Sequence, residues 1–361
     1  MTFKYENVTI YISRKKTENG VTFMANIHDV AKEAGVSIST VSRVIQGASN
    51  VLPETRARIE EAIQKLDYHP NRLAQQFRTQ QTKTILVIVP EIGNTFFAEI
   101  LSGIEDIAEK NHYTILLVDS HGKPEVETKC YDMLSQKLVD GIITFSVGIP
   151  KDELRQLATQ YPIVIGIRYF ADNTLANVTI DNIKAVKDIT SYMLNLGHKK
   201  ICYLAGPADV PIYQDRVNGY LEALKERGLR VDRNLIVNCV PSVQGGYDAI
   251  SALLRVGDHK FSAVVAGGDT MAIGAIRALT DCGRRVPQDV AVSGFDDVEL
   301  AALFSPALTT VRQPKHQIGM RTAEKLLDLI AGKTQAACRD VLNYELVIRE
   351  SSGGFVGNRE L

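Results

Sequence analysis

The stretch GVSISTVSRVIQ, residues 35–46, sets four hydroxyl side chains (Ser37, Ser39, Thr40, Ser42) and one arginine (Arg43) among valines at helical spacing. Val41, Val44 and Ile45 form an i, i+3, i+4 stripe that a helix turns to one side. The opposite side carries small polar groups where a solvated helix usually carries Glu and Lys. Such a face lets another surface come close to the backbone. Just upstream, NIHDVAKEA (26–34) reads as a second short helix. Asn26 can cap it with Asp29 in the first turn, and Ile27, Val30, Ala31 and Ala34 make its apolar stripe. Gly35, between the two, permits the left-handed residue that ends a helix. Two short helices across a tight glycine turn are a helix-turn-helix, whose second helix enters the major groove of DNA. An amphipathic helix of an unrelated bundle has the same spacing, so these residues alone leave both readings open.

Working outward, Pro53 suits a first helical turn, and Ile59, Ala62, Ile63 and Leu66 supply the apolar face of a third helix. Tyr68-His69-Pro70 breaks it, and NRLAQQFR (71–78) is long enough for two more turns. Residues 1–23 fit no neighbouring pattern. NVTIYISRKK (7–16) suggests a strand and a basic turn with no sheet to join, so a disordered tail, or an extension upstream of a start at Met24, is expected. The chain carries a net charge of -1, which by itself points to no nucleic-acid partner. Residues 24–83 hold eight basic and six acidic side chains, a small excess compatible with DNA binding.

Beyond Thr82 the texture changes. Apolar runs (TILVIVP, YTILLVD, DGIITFS, PIVIGIR, NVTID, KICYLAGP, NLIVNC, SAVVAGGD, VAVSGFDD) alternate with helical patterns. Continuous apolar strands separated by helices predict parallel sheets covered on both faces. Nine strands over some 230 residues divide best into two similar lobes. The expected organisation is an all-α helix-turn-helix domain at 24–69, a hinge helix and linker at 70–83, and two α/β lobes. The first lobe takes 84–182 and 314–341, with LTTVRQP (308–314) returning the chain to it and a helix at 314–333. The second takes 183–313 and 342–361.

Composition excludes several classes. There is no run of about 18 apolar residues for a membrane span, and no apolar leader with a small-residue cleavage site. Five scattered cysteines form no CxxC, which suggests reduced thiols in a cytoplasmic protein. The seven histidines show no metal-ligand spacing, and no metal or cofactor is expected. No strand leads through a GxGxxG into a helix, and GGDTMAIG has the wrong glycine spacing for a dinucleotide loop. With no Walker loop and no placeable Ser-His-Asp set, an enzyme is not expected. A solute-binding protein shares the lobed pattern but needs an export signal and no reading head.

IHDVAKEAGVSISTVSRVIQG followed by TRARIEEAIQKLDYHPNRLAQQ resembles the lactose/purine repressor (LacI/GalR-type) family of bacterial transcription regulators. The resemblance continues through TILVIVPEIGNTFFAEILSGIE, DNIKAV, LGHKKICYLAGP, GDTMAIGAIRAL, VPQDVAVSGFDD and PALTTVRQP, and covers about residues 26–350. It implies a helix-turn-helix domain joined to a two-lobed, periplasmic-binding-protein-like α/β domain. It also implies a homodimer, with a tetramer possible, that binds double-stranded pseudo-palindromic operator DNA and is switched by a small molecule. Repression is expected ahead of activation. Ser37, Ile38, Ser39, Thr40, Ser42 and Arg43 would meet the major groove. Arg72 and Phe77 would act in the hinge, with Phe77 as the apolar wedge where the family usually has leucine.

Ligands of lobed parallel α/β sheets bind at the carboxyl ends of the strands. The polar and aromatic residues just past each strand are therefore the candidate effector contacts. They are Asn94, Phe96, Phe97, Asp119, Ser146, Arg168, Arg216 and Asp296, of which Arg216 and Asp296 match family ligand contacts. Asp269, at the end of SAVVAGGD, is expected to cap the following helix. Sugar-binding relatives often carry asparagine where this chain has Gly268. PEIGNTFFAEI, AGP and RGLRVD resemble the nucleoside and purine regulators more closely. The expected effector is a nucleoside or base, then a sugar.

Overall fold

The computed structural model describes residues 3–5, 8–10, 25–45, 48, 50–68, 81–146, 148–169, 175–256, 261–333 and 339–353. The chain divides into two compact units, residues 1–81 and 82–361.

In the first unit, β1 (Phe3–Tyr5) and β2 (Val8–Ile10) pair antiparallel and join no other described strand. The strand suggested at 7–16 is thus short and finds its partner immediately upstream. Three helices follow, α1 (Ile27–Ala34), α2 (Ile38–Ile45) and α3 (Pro53–Leu66). A full capping box starts α1: the Asn26 side chain accepts from the His28 and Asp29 amides, and Asp29 accepts from the Asn26 amide. Gly35 ends it at φ +65° with its N–H bonded to the last carbonyls. Helices of eight residues are marginal alone, so packing decides. Val30, Ala31, Ala34, Val41, Val44, Ile59, Ala62 and Tyr68 are buried together, and each large aliphatic among them contributes about 1.5–3 kcal/mol.

The second unit holds two parallel sheets. The first runs in the order β13-β7-β6-β5-β3-β4. It is built from β3 (Thr84–Val89), β4 (Thr114–Asp119), β5 (Gly141–Thr144), β6 (Ile163–Gly166), β7 (Asn177–Ile180) and β13 (Arg339–Leu342). Its helices are α4 (Phe96–Lys110), α5 (Pro124–Ser135) and α6 (Lys151–Gln160). The apolar continuity of these strands has a direct cause. Ile85, Val87 and Val89 of β3 pack into one core, while Leu86 and Ile88 pack into another on the opposite face. The second sheet runs β11-β10-β8-β9. Its strands are β8 (Ile201–Ala205), β9 (Ile236–Asn238), β10 (Ala263–Ala266) and β11 (Ala291–Ser293). Around it lie α7 (Asn182–Asn195), α8 (Pro211–Glu226), α9 (Val243–Val256), α10 (Asp269–Asp281) and α11 (Glu299–Leu303). All nine expected strands are present.

The chain passes between the lobes three times. It crosses first after β7. It returns after β12 (Thr310–Arg312) into α12 (Lys315–Ile330), which packs Ala323 and Leu326 into the first lobe's core. It leaves again from β13 into β14 (Glu345–Val347), which pairs antiparallel with β12. Helices α4 and α12 touch backbone to backbone. A Cβ on Gly103 would stand 2.1 Å from the His316 carbonyl oxygen, and one on Gly319 would stand 2.0 Å from that of Ile100. Only glycine permits that approach.

Candidate functional site

Two sets of residues stand out, one in each unit. On α2 the apolar stripe is spent on the core: Val41 and Val44 are buried and Ile45 half-buried. Ser37, Ile38, Ser39 and Arg43 are exposed, and Thr40 and Ser42 half-buried. Ser37 also caps the helix. Its Oγ accepts from the Thr40 amide at 3.2 Å and lies 2.7 Å from Ser39 Oγ and 2.8 Å from Thr40 Oγ1. Three hydroxyls thus hold one another at the helix start, which fixes donors and acceptors that would otherwise rotate freely. The Arg43 guanidinium has no ion-pair or hydrogen-bond partner among the described residues. Its fork of donors is available for the O6 and N7 of a guanine. Ile38, 40% exposed, presents an apolar contact beside it, suited to a thymine methyl. Arg72 and Phe77 lie outside the described residues.

In the second unit the carboxyl ends of the parallel strands converge, and loops from both lobes meet there. Arg216 projects from α8 and is only 5% exposed. Its Nε donates to Asn182 Oδ1 (2.9 Å), at the first crossing between lobes, and its Nη1 to the Gly267 carbonyl (2.6 Å) past β10. Nη2 stands 3.7 Å from Asp296 Oδ1 past β11, and the guanidinium lies over the Phe295 ring at 3.7 Å. Asp296 sits at φ +113°, a conformation non-glycine residues rarely adopt. Burial raises the pKa of its carboxyl, opposed by the Arg216 guanidinium and by Gln313, whose amide donates to Oδ1 at 2.7 Å. The second oxygen faces Gly268, 3.7 Å from where a Cβ would stand there. The bare glycine therefore leaves room in front of an acceptor.

The other expected contacts divide. Asp119 braces the loops around it, accepting from the Ile92 amide (2.9 Å) and the His121 amide (3.0 Å). Ser146 is buried, and its hydroxyl donates to Glu127 Oε1 at 2.5 Å while accepting from Ser120 Oγ at 3.0 Å. Phe96 and Phe97 are buried in the first lobe's core, edge to face with each other, and Phe97 packs on Phe145. Asn94 accepts from the Phe96 amide and sets the start of α4. Arg168 is half-buried, with its Nε shielded and without a hydrogen-bond partner among the described residues.

Asp269 requires a correction. Gly268 occupies the cap position of α10, and the Asp269 side chain does not cap that helix. Its carboxyl turns inward, where Oδ1 accepts from Thr310 Oγ1 (2.6 Å) and Oδ2 from the Val298 amide (2.8 Å). It thereby ties α10 to the return strand β12. Burial, reinforced by the nearby Asp296, pushes its pKa well above the usual carboxylate range.

Several residues of this region escaped sequence reading. Lys315, nearly fully buried at the start of α12, bonds the Asp297 and Asp296 carbonyls in the second lobe and pairs with Glu99 Oε1 (2.9 Å) on α4 in the first. Asn182, Gln313 and Tyr213 were equally silent, since an amide or phenol in a loop or first helical turn is ordinary. Glu127 did leave a signal. It occupies the i position of a stripe whose other members are Cys130, Tyr131 and Leu134. Among the described residues no group of three His, Cys, Asp or Glu could hold a metal, and no helix is long and apolar enough to cross a membrane.

Comparison with known proteins matches both units. Residues 26–71 match the family described as bacterial regulatory proteins, lacI family. Residues 82–344 match the periplasmic binding proteins and sugar binding domain of the LacI family. The HTH-type transcriptional regulator RegA of Clostridium saccharobutylicum is 38% identical over 91% of this chain and 99% of its own. Among solved structures, a transcriptional regulator CelR–cellobiose complex is 33% identical with a TM-score of 0.70. The lac repressor dimer bound to operator and the anti-inducer ONPF is 27% identical with a TM-score of 0.81. Each of these two covers 91% of this chain and 99% of the other. With both units matched in order and nearly the whole length covered, the chain belongs to the LacI family of bacterial transcription regulators.

Proposed function

We propose that the chain represses transcription by holding a pseudo-palindromic operator as a homodimer, and that a small molecule bound between the lobes of the second unit switches that grip. The observation that carries the reading is the pairing of two features in one chain. One is an exposed helix of small hydroxyls around an Arg43 guanidinium with no partner among the described residues; the other is a buried Arg216 beside the half-buried Asp296 where loops of both lobes meet.

On DNA, Ser37, Ile38, Ser39, Thr40, Ser42 and Arg43 enter the major groove. Small side chains let α2 seat deeply, hydroxyls bond phosphates or base edges, and Arg43 forks onto guanine. Arg72 and Phe77 belong to the hinge, Phe77 entering the minor groove and kinking a base step. Two heads read half-sites one helical turn apart, so only one arrangement of the dimer engages both.

The effector site is built from Phe96, Phe97, Asp119, Ser146, Arg168, Arg216 and Asp296. Arg216 and Asp296 touch the ligand, Arg168 faces it, and the other four shape the first lobe's loops beneath it. A nucleoside or base, and then a sugar, suits a forked donor beside an acceptor carboxylate with open space at Gly268. Ligand that favours one lobe arrangement shifts the dimer's equilibrium by its differential affinity for the two arrangements, and by linkage DNA shifts ligand affinity equally.

The test is fluorescence anisotropy on a labelled palindrome with a central CG step against random duplex, at two salt concentrations. Wild type discriminates the two, Arg43→Ala does not, and a nucleoside or sugar from a panel moves the curve. Equal binding of both duplexes by wild type, across a library of selected sequences, overturns the reading.

A further inference from the structure

Arg168 stands two residues beyond β6. The residue before it, Ile167, has φ +56°. A β-branched side chain in the left-handed region is a true outlier, and such strain persists only where surroundings over-determine it. Here they do. Ile167 packs against the cores of both lobes, its N–H bonds the Val178 carbonyl at 2.8 Å, and its carbonyl accepts from Thr179 Oγ1 at 3.1 Å. The strained turn takes Arg168 out of the sheet.

The guanidinium of Arg168 then lies within electrostatic reach of Glu127 in the first lobe and of Asp209 and Tyr213 in the second. None of them bonds it. Both oxygens of Glu127 are already taken, by the Ser146 hydroxyl and by the Gly148 amide at 2.7 Å. Asp209 is exposed. Burial works against the arginine's charge. A half-buried guanidinium whose Nε is shielded, with no bonded counter-charge among the described residues, carries a cost that functional sites are known to bear.

A second guanidinium is close by. Arg216 lies 5.6 Å from the Tyr213 ring centroid, and Arg168 and Arg216 both act on the Tyr213 hydroxyl. Two arginines from opposite lobes therefore lie within electrostatic reach of one tyrosine. Arg216 has Asp296, Asn182 and the Gly267 carbonyl for company, while Arg168 has an open donor.

We infer that the effector carries an oxyanion, a phosphate monoester or a carboxylate, seated on Arg168, and that Arg168 is the residue that selects for it. This rests on the reading that the effector binds between the lobes, and it narrows nucleosides and sugars to their phosphorylated or acidic forms. Planar guanidinium groups match such oxygens two at a time, which a neutral hydroxyl does not exploit.

The test uses the full chain, calorimetric titration and matched pairs at fixed ionic strength: cytidine with cytidine 5′-monophosphate, ribose with ribose 5-phosphate, and glucose with gluconate. In at least one pair the charged member binds tenfold or more tighter, and the pair in which this happens tells phosphate from carboxylate. Arg168→Gln lowers the charged member's affinity at least fivefold more than the neutral member's, while Arg168→Lys restores part of that difference. Neutral and charged members binding alike, or Arg168→Gln weakening both equally, overturns the oxyanion and leaves the cleft reading intact. No binding by any member, with no effect on operator affinity, overturns the cleft reading and the oxyanion together.

Discussion

The reading helix and the interlobe region solve opposite problems. On α2 the candidate reading side chains are exposed or half-buried and the Arg43 guanidinium has no partner among the described residues, while a separate stripe of the same helix builds the core. Between the lobes, Arg216, Asp296 and Lys315 are held by one another and by backbone carbonyls, so the candidate effector groups Arg216 and Asp296 also hold the lobes in place. Apart from Ser37, which also caps α2, the reading head keeps function and stability on different faces of one helix, whereas the cleft merges them. Substitution should therefore silence the head without unfolding it, and should not touch the cleft without cost.

The largest effect expected is at Arg216. Arg216→Met takes the cation from the half-buried Asp296 carboxylate and strands the Asn182 and Gly267 acceptors, and should cost about 3 kcal/mol of stability in urea unfolding. The double variant with Asp296→Asn should cost less than the sum of the single changes. A cost below that of an exposed substitution would dissolve the contrast. Next comes Arg43→Ala, which should lose about 1–3 kcal/mol of discrimination per guanine read, measured by anisotropy. Its unfolding midpoint should stay within about 0.5 kcal/mol of wild type, as for a surface residue. A clear loss of stability would place Arg43 in the structure of the head.

Asp269 sharpens the comparison through pH. Its raised pKa means that the folded state keeps the proton the unfolded chain gives up. The stability it contributes is full below the unfolded value near ~3.9 and is lost as pH rises through the folded value. Asp269→Asn keeps a neutral group that accepts from Val298 and meets Thr310. It should match wild type in acid and exceed it by pH 8, by up to about 1.4 kcal/mol per pH unit of the titration window. Parallel stability curves across that range would show that no proton is held there. The smallest effect is Ser37→Ala, about 1 kcal/mol from a lost cap, read in the unfolding of the head.

The same contrast explains what could be read from the sequence. The helix-turn-helix is local: cap, stripe, glycine and second stripe fall within some 20 residues, and the structure places Asn26, Gly35, Val41 and Val44 where spacing puts them. The nine strands were equally legible, because burial on both faces writes a continuous apolar run. The rule that ligands meet strand ends pointed to Arg216 and Asp296 as candidates, and the structure brings those two side chains together. Lys315 did not, because nothing in PKHQ separates a buried lysine from a solvated one, and its partners lie 18 and 19 positions before it and on α4. Asp269 misled for a related reason. An acid entering a helix reads as a cap by local rules, and only the return of Thr310 and Val298 from elsewhere in the chain gives it its role.

The glycine contact between α4 and α12 constrains how this molecule can move. Two helices that meet backbone to backbone have no layer of side chains on which to slide, so shear between them is blocked. The second lobe's grip on Lys315 then reaches both helices at once, through α12 directly and through Glu99 on α4. Any change in lobe angle has to be absorbed in the three crossings, at about residues 180–182, 312–315 and 342–345, and delivered to the first lobe as the turning of a rigid bar. A larger side chain at Gly103 or Gly319 would put play into that bar, leaving ligand bound at one end and nothing transmitted at the other.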